Sequence, residues 1–217
     1  MPTRLDQWID RQLRRRGIDD ERVLAAMASV PRELFVPPEL RELAYADEAL
    51  PLAAGQTVSQ PYVVAFICQG LALRGGERVL DVGTGSGYQA AVLAELGAEV
   101  SSIERLPELA AGARAALAAA GYERVGVRIG DGTLGLPEQA PYDGIAVAAA
   151  APEVPPSLWE QLRDGGRMVI PLGPRQRQEL TVLERSAEGP RVVSSVAVRF
   201  VPLLGAQAFS DRAGSRW

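Results

Sequence analysis

The residues best suited to chemistry fall in four short stretches. In "VLDVGTGSGYQAAV", Gly83, Gly85 and Gly87 follow an apolar run carrying Asp81 and precede a helix-forming segment. Strand, glycine turn and helix in that order let backbone approach a nucleotide closely at the strand's carboxyl end. The spacing is G-x-G-x-G, with Thr84 and Ser86 between the glycines. Tyr88 stands where the dinucleotide fingerprint G-x-G-x-x-G needs its last glycine, so a tight turn without a pyrophosphate to cradle is the better reading. In "VSSIERL", Glu104 closes a strand pattern and is followed by Arg105; a carboxylate there can accept both ribose hydroxyls of a nucleoside. "RIGDGTLG" offers Asp131 and Gly132, either as acceptor and backbone for an adenine or simply as an Asp-Gly turn. In "GQTVSQPYVVA", Ser59 precedes Gln60 and Pro61, where it is either a helix N-cap with proline in the first turn or an active-site hydroxyl.

The remaining composition narrows the chemistry. The 217 residues contain no histidine, which excludes Ser-His-Asp hydrolysis, Cys-His catalysis and His-based zinc sites. Cys68 is the only cysteine and lies in an apolar stretch, so neither a disulfide framework nor a metal cluster is expected, and a reducing cytoplasm suits it. A net charge of -4 gives no reason to expect nucleic acid or a membrane surface as partner. The opening "MPTRLDQWIDRQLRRRG" lacks a signal-peptide core, and no stretch approaches the roughly 20 apolar residues that span a bilayer.

The elements that must position these residues can be read from periodicity. Leu5, Ile9 and Leu13 recur at a helical period, and Asp19 or Asp20 can cap a second helix carrying Val23, Leu24 and Met27. Val63, Val64, Ile67, Cys68 and Leu71 form one apolar stripe after Pro61. From Arg78, the strand candidates "RVLDVG", "AEVSSIE", "VGVRIG", "YDGIAVAAA" and "GRMVIPLG" alternate with the helix candidates "YQAAVLAEL", "LPELAAGARAALAAAG" and "PPSLWEQLRDGG". That alternation predicts an α/β fold with a doubly wound, mostly parallel Rossmann-like sheet. "ELTVLERS" and "PRVVSSVAVRFVPL" alternate without helices and predict an antiparallel hairpin on its edge. The expected organisation is a helical lobe with a substrate and cofactor loop over 1–60, a nucleoside-binding core over 61–175, and C-terminal strands and tail over 176–217.

Taken together, "VPRELFVP", "GQTVSQPYVVA", "VLDVGTGSGYQAAVLAEL", "SIERLPELA", "GDGTLGLPEQAPYDGIAVAAAAPEVP", "LRDGGRMVIPLG" and "VRFVPLLG" resemble the protein-L-isoaspartate O-methyltransferases. The resemblance covers about residues 5 to 205. It implies a cytoplasmic, monomeric enzyme that transfers the methyl group of S-adenosylmethionine to the α-carboxylate of isoaspartyl residues in damaged proteins, releasing S-adenosylhomocysteine. The ester then collapses to a succinimide that can reopen to aspartate. By motif, the cofactor would be held by Asp81, Gly83, Thr84, Gly85, Ser86, Gly87, Glu104, Arg105, Asp131 and Gly132, with Thr57 and Val58 near it. Ser59 would be catalytic, and Ser59, Val201, Pro202 and Leu203 would border the substrate, whose backbone could add as a strand along Arg199 to Leu203. The family also departs from the usual methyltransferase strand order at its C-terminal end.

Two features depart from the family pattern: Ala53 and Ala54 replace a glycine-containing turn, and "AQAFSDRAGSRW" matches little, leaving Trp8 and Trp217 without a functional role. The chemistry agrees with the composition, because a carboxylate with a pKa near 4 is already ionised and needs no general base. The rivals are a methyltransferase acting on aspartates of a specific modified peptide, a non-catalytic S-adenosylmethionine binder, and a nicotinamide oxidoreductase.

Overall fold

The computed structural model describes residues 3–210, so Trp217 lies outside the described residues. Helix α1 (Arg4–Gln12) opens with a reciprocal capping box: the Thr3 hydroxyl accepts from the Asp6 N–H, and the Asp6 carboxylate accepts from the Thr3 N–H. Trp8 on this helix is buried, donates its indole N–H to the Tyr45 carbonyl at 2.9 Å and meets the Tyr45 ring edge-on, so its role is packing. Asp20, rather than Asp19, caps α2 (Glu21–Ser29) by accepting from the N–H groups of Arg22 and Val23. Residues 50–58 form a small hairpin of β1 (Leu50–Pro51) and β2 (Thr57–Val58), which leads into α3 (Pro61–Leu71).

The main sheet comprises β3 (Arg78–Val82), β4 (Glu99–Glu104), β5 (Gly126–Ile129), β6 (Tyr142–Val147), β7 (Leu162–Leu172), β8 (Gln178–Ser186) and β9 (Gly189–Val198). Their order is β5-β4-β3-β6-β7-β8-β9. The first five run parallel, and β7-β8-β9 form an antiparallel meander in simple chain order, as the alternation of elements predicts for core and edge. Helices α4 (Tyr88–Glu95), α5 (Pro107–Ala119) and α6 (Pro156–Gln161) supply the crossovers. Successive side chains on each strand serve opposite faces. Val79, Ala146, Val169 and Leu180 pack with α2, α3, α4 and α5, while Leu80, Ile145, Met168 and Ile170 pack with Leu158 of α6. The first of these cores reaches back to Trp8 and Ile9, so the N-terminal helices and the sheet share one interior.

Three boundaries differ from those read in the sequence. The helix expected over "PPSLWEQLRDGG" stops at Gln161, because Leu162 already pairs with Tyr142 and the next residues turn through Gly165 (φ 73°) at an irregularity in the β6–β7 register. The strand expected over "YDGIAVAAA" ends at Val147; beyond it, Ala150 and Ala151 make isolated bridges to Pro202 and Leu172. The last strand ends at Val198 and not in "RFVPL". From there the chain leaves the edge: Phe200 donates its N–H to Gln178 Oε1, and Val201 and Leu203 bond to Ala150, which brings the segment across the carboxyl end of β6.

Candidate functional site

At the carboxyl ends of β3, β4 and β6 the loops form a cleft that opens to solvent. Its floor is the glycine turn. Gly83, Gly85 and Gly87 all take positive φ (90°, 54° and 91°), a region that side-chain-bearing residues avoid. The turn is held by Gly83 donating to the Ile103 carbonyl at 2.9 Å and Gly87 donating to the Thr84 carbonyl at 2.8 Å. Glu104 stands beside it, 6% exposed, with Oε2 accepting from the Gly85 N–H and Oε1 from the Leu106 N–H, both at 3.0 Å. Two backbone donors fix this carboxylate, and its remaining lone pairs stay available on the cleft wall.

Of the residues singled out in the sequence, Thr57, Val58, Ser59, Gly83, Thr84, Gly85, Ser86, Glu104, Arg105, Gly132, Val201, Pro202 and Leu203 all line this cleft. Three expected there stand behind its wall. Gly87 faces α5, where a Cβ would come within 3.1 Å of Leu117 Cγ, so packing and a left-handed turn account for it. Asp131 caps the short turn after β5: its Oδ1 accepts from the Thr133 N–H and hydroxyl, and its Oδ2 accepts from the Ala206 N–H at 2.8 Å. Burial alone raises its pKa, but those hydrogen bonds and the Arg105 charge outweigh burial and hold it below the usual carboxylate range.

Asp81 is the third residue behind the wall. It is fully buried, accepting from Gln89 Nε2 at 2.7 Å and from the Ser102 hydroxyl at 2.6 Å; Ser102 Oγ in turn lies 2.6 Å from the Thr84 hydroxyl. Burial pushes its pKa up to about 6, the hydrogen bonds from Ser102 and Gln89 oppose this, and the neighbouring Glu104 charge adds to it. A carboxylate so enclosed acts through its partners, and one of them, Gln89, lines the cleft with a buried amide oxygen that lacks a hydrogen-bond partner among the described residues. Sequence reasoning passed over Gln89. The signal available was a polar side chain in the otherwise apolar first two turns of "YQAAVLAE".

Ser59 lies one residue ahead of the helix cap. Gln60 is the N-cap of α3, no side chain caps the helix, and Gln60 Nε2 donates instead to Asp47. The capping role open to Ser59 on sequence grounds is therefore not realised. Its carbonyl accepts from Arg32 Nη2 at 2.8 Å. Arg32 is 0% exposed, donates Nε–H to the Ala44 carbonyl at 2.6 Å and rests over the Tyr88 ring 4.6 Å from the centroid, with Nη1 unpartnered. Among the described residues no carboxylate pairs with it, so a desolvated cation stands directly behind the Ser59 loop. Nothing in the sequence distinguishes it from a surface arginine.

Thr57, Ser59 and Val201 also border a second cleft, which runs between α3 and the end of β9. The main chain of the "RFVPL" segment is largely engaged already. The Phe200 N–H, the Val201 carbonyl and the Leu203 N–H have partners, and Pro202 has no N–H. Strand addition along this stretch, expected from the sequence, is thus limited to the groups left over, among them the Phe200 carbonyl and the Val201 N–H. Ser59 stands where the two clefts meet.

A family model described as Protein-L-isoaspartate(D-aspartate) O-methyltransferase matches residues 5–208. A protein-L-isoaspartate O-methyltransferase 1 of Anaeromyxobacter sp. is 57% identical over 193 residues, covering 88% of this chain and 91% of its own. The protein-L-isoaspartate O-methyltransferase of Methanoculleus marisnigri is 52% identical over 200 residues, covering 92% and 91%. Among solved structures, a protein-L-isoaspartate O-methyltransferase superimposes with a TM-score of 0.82 at 28% identity, covering 94% of this chain and 67% of its own. A Plasmodium falciparum chain solved in complex with S-adenosyl-L-homocysteine gives 0.79 at 25% identity, covering 91% and 97%. With the match spanning nearly the whole chain, this protein belongs to the protein-L-isoaspartate(D-aspartate) O-methyltransferase family.

Proposed function

We propose that the chain esterifies the α-carboxylate of L-isoaspartyl residues in damaged proteins with the methyl group of S-adenosylmethionine. The observation that carries the reading is Ser59 at the junction of two clefts, one floored by a glycine turn with a fixed carboxylate and the other open along the molecule's edge. The residues fit the cofactor on two counts. The unpartnered Gln89 amide oxygen calls for a donor such as an ammonium group, and Glu104 keeps acceptor capacity suited to ribose hydroxyls. Gly83 and Gly85 would let a nucleoside approach the backbone, while Gly132 lines the same cleft but is a glycine for packing, since a Cβ there would meet Val82 Cγ1 at 2.7 Å. When bound, S-adenosylmethionine supplies a sulfonium-borne methyl group open to in-line attack.

The chain's own part is positioning and exclusion of water, because the nucleophile arrives ionised. The Ser59 hydroxyl donates a hydrogen bond that orients the substrate carboxylate, and Arg32 holds the loop through the Ser59 carbonyl while its buried charge favours an anion nearby. Val201 to Leu203 supply part of the same cleft's lining. The enzyme works as a monomer in the cytoplasm, and sedimentation at working concentration tests the first of these points. The decisive experiment is methyl transfer to two peptides that differ only in aspartate or isoaspartate at one position. Labelling confined to the isoaspartyl peptide is expected, and equal labelling would exclude a repair role.

A further inference from the structure

The second cleft contrasts with the chain's overall charge. Its lining includes Arg16, Arg175 and Arg199 but no aspartate or glutamate among the described residues, in a chain of net charge -4. One wall comes from the N-terminal helical region with Gln60 and Tyr62, the other from the end of β9 and the residues just beyond it. Arg16 is oriented twice, by Asp47 at 2.8 Å and by stacking on the Tyr62 ring at 3.7 Å. Arg175 packs over the Phe209 ring at 4.8 Å. Arg199 is exposed, with no ion-pair partner among the described residues. β9 is the edge strand of the sheet and pairs only with β8, so main-chain groups on its outer edge stay open to a peptide backbone, and side chains and charge add selectivity to that grip.

We infer that this cleft is the docking surface for the peptide flanking the modified residue and that it selects isoaspartyl sites with acidic neighbours. The inference rests on the proposed function and adds a substrate class to it. With Arg16 on one wall largely neutralised by Asp47, the exposed Arg199 on the other attracts anionic segments and repels cationic ones, an effect screened beyond about 8 Å at physiological salt. Arg199 is the residue free to respond to the flank, and Arg16, already shared with Asp47, contributes less.

The test uses the protein saturated with S-adenosylhomocysteine and three fluorescent isoaspartyl peptides identical except for Glu, Gln or Lys on both sides of the modified residue. Anisotropy at low salt is expected to rank them Glu, Gln, Lys, with roughly tenfold between the extremes for several weak exposed pairs, narrowing at high salt. Arg199→Gln should flatten the order and Arg199→Glu should reverse it, while S-adenosylhomocysteine affinity reports that each variant is folded. Equal affinities, a tighter Lys peptide, or no binding of any of them would overturn the inference. Methyl transfer from S-adenosylmethionine to the same peptides separates the two levels. Equal affinities with normal transfer leave the esterification reading standing without the acidic preference, whereas the expected ranking with no transfer keeps the docking surface and removes the esterification.

Discussion

Ser59 and Asp81 show how differently two polar residues of one site can be used. Since no side chain caps α3 and the Ser59 hydroxyl is free to face a substrate, Ser59→Ala should leave stability within about 0.5 kcal/mol of the parent. Turnover on an isoaspartyl peptide should nonetheless fall roughly ten- to a thousandfold, with S-adenosylhomocysteine affinity little changed. Parallel kinetics, titration and denaturation decide this, and undiminished turnover would take the hydroxyl out of the mechanism. Asp81 makes a prediction about pH. Its pKa of about 6 in the folded chain lies above the ordinary 3.8, so the folded state binds the proton more tightly than the unfolded one. Stability should therefore fall as pH rises from about 4 to 6, and the full penalty is present above that window. Asp81→Asn keeps an acceptor for Gln89 and removes the charge, so it should stabilise at pH 7 by on the order of 1–3 kcal/mol, with the gain gone near pH 4. Urea denaturation at both pH values measures it; a loss of equal size at both would mean that hydrogen bonding, not charge burial, governs the position.

At the scale of elements, what could be read from sequence was whatever depends on local chemistry. The period of α1, the capped start of α2, the proline-led α3 and the glycine turn after β3 all follow from residues within a few positions of one another. The boundaries that shifted, at Gln161, Val147 and Val198, are set by partners far along the chain: Tyr142 for Leu162, and Ala150 for Val201 and Leu203. The alanines replacing the family's glycine turn have a local consequence. Ala54 takes φ 56° and ψ 30°, and Ala72, closing α3, takes φ 53° and ψ 42°. A left-handed conformation at a residue with a Cβ costs roughly 1–2 kcal/mol, which glycine avoids at some expense in chain entropy. Ala72→Gly and Ala54→Gly should each raise the denaturation free energy by up to about 1 kcal/mol. The first should leave catalysis alone, whereas the second, two residues before Gln56 of the cleft wall, also reports whether a looser hairpin slows turnover. A loss of stability in both would show these turns to be unstrained.

On the scale of the whole molecule, the cofactor cleft is assembled from three distant parts of the chain: Gln56 to Ser59, the strand ends with their glycine turn and Glu104, and Val201 to Leu204. The motif-bearing middle part was legible because its spacing carries its geometry. Arg32 and Gln89 were not, because what marks them is burial without a full set of partners, which exists only once the chain has folded. A ligand that touches all three parts must couple them. Saturation with S-adenosylhomocysteine at a hundred times its dissociation constant adds about 2.7 kcal/mol to the folded state, which for a chain of this size raises the midpoint by roughly 5–10 °C. Glu104→Ala should lose most of that shift at the same ligand concentration, and nicotinamide dinucleotide should produce none. Amide exchange followed in the same titration should slow at Thr57 to Ser59 and at Leu203 and Leu204 as well as in the glycine turn. If protection rose only in the turn, Val201 to Leu204 would belong to the substrate side alone, and their contact with the ligand would have to be abandoned.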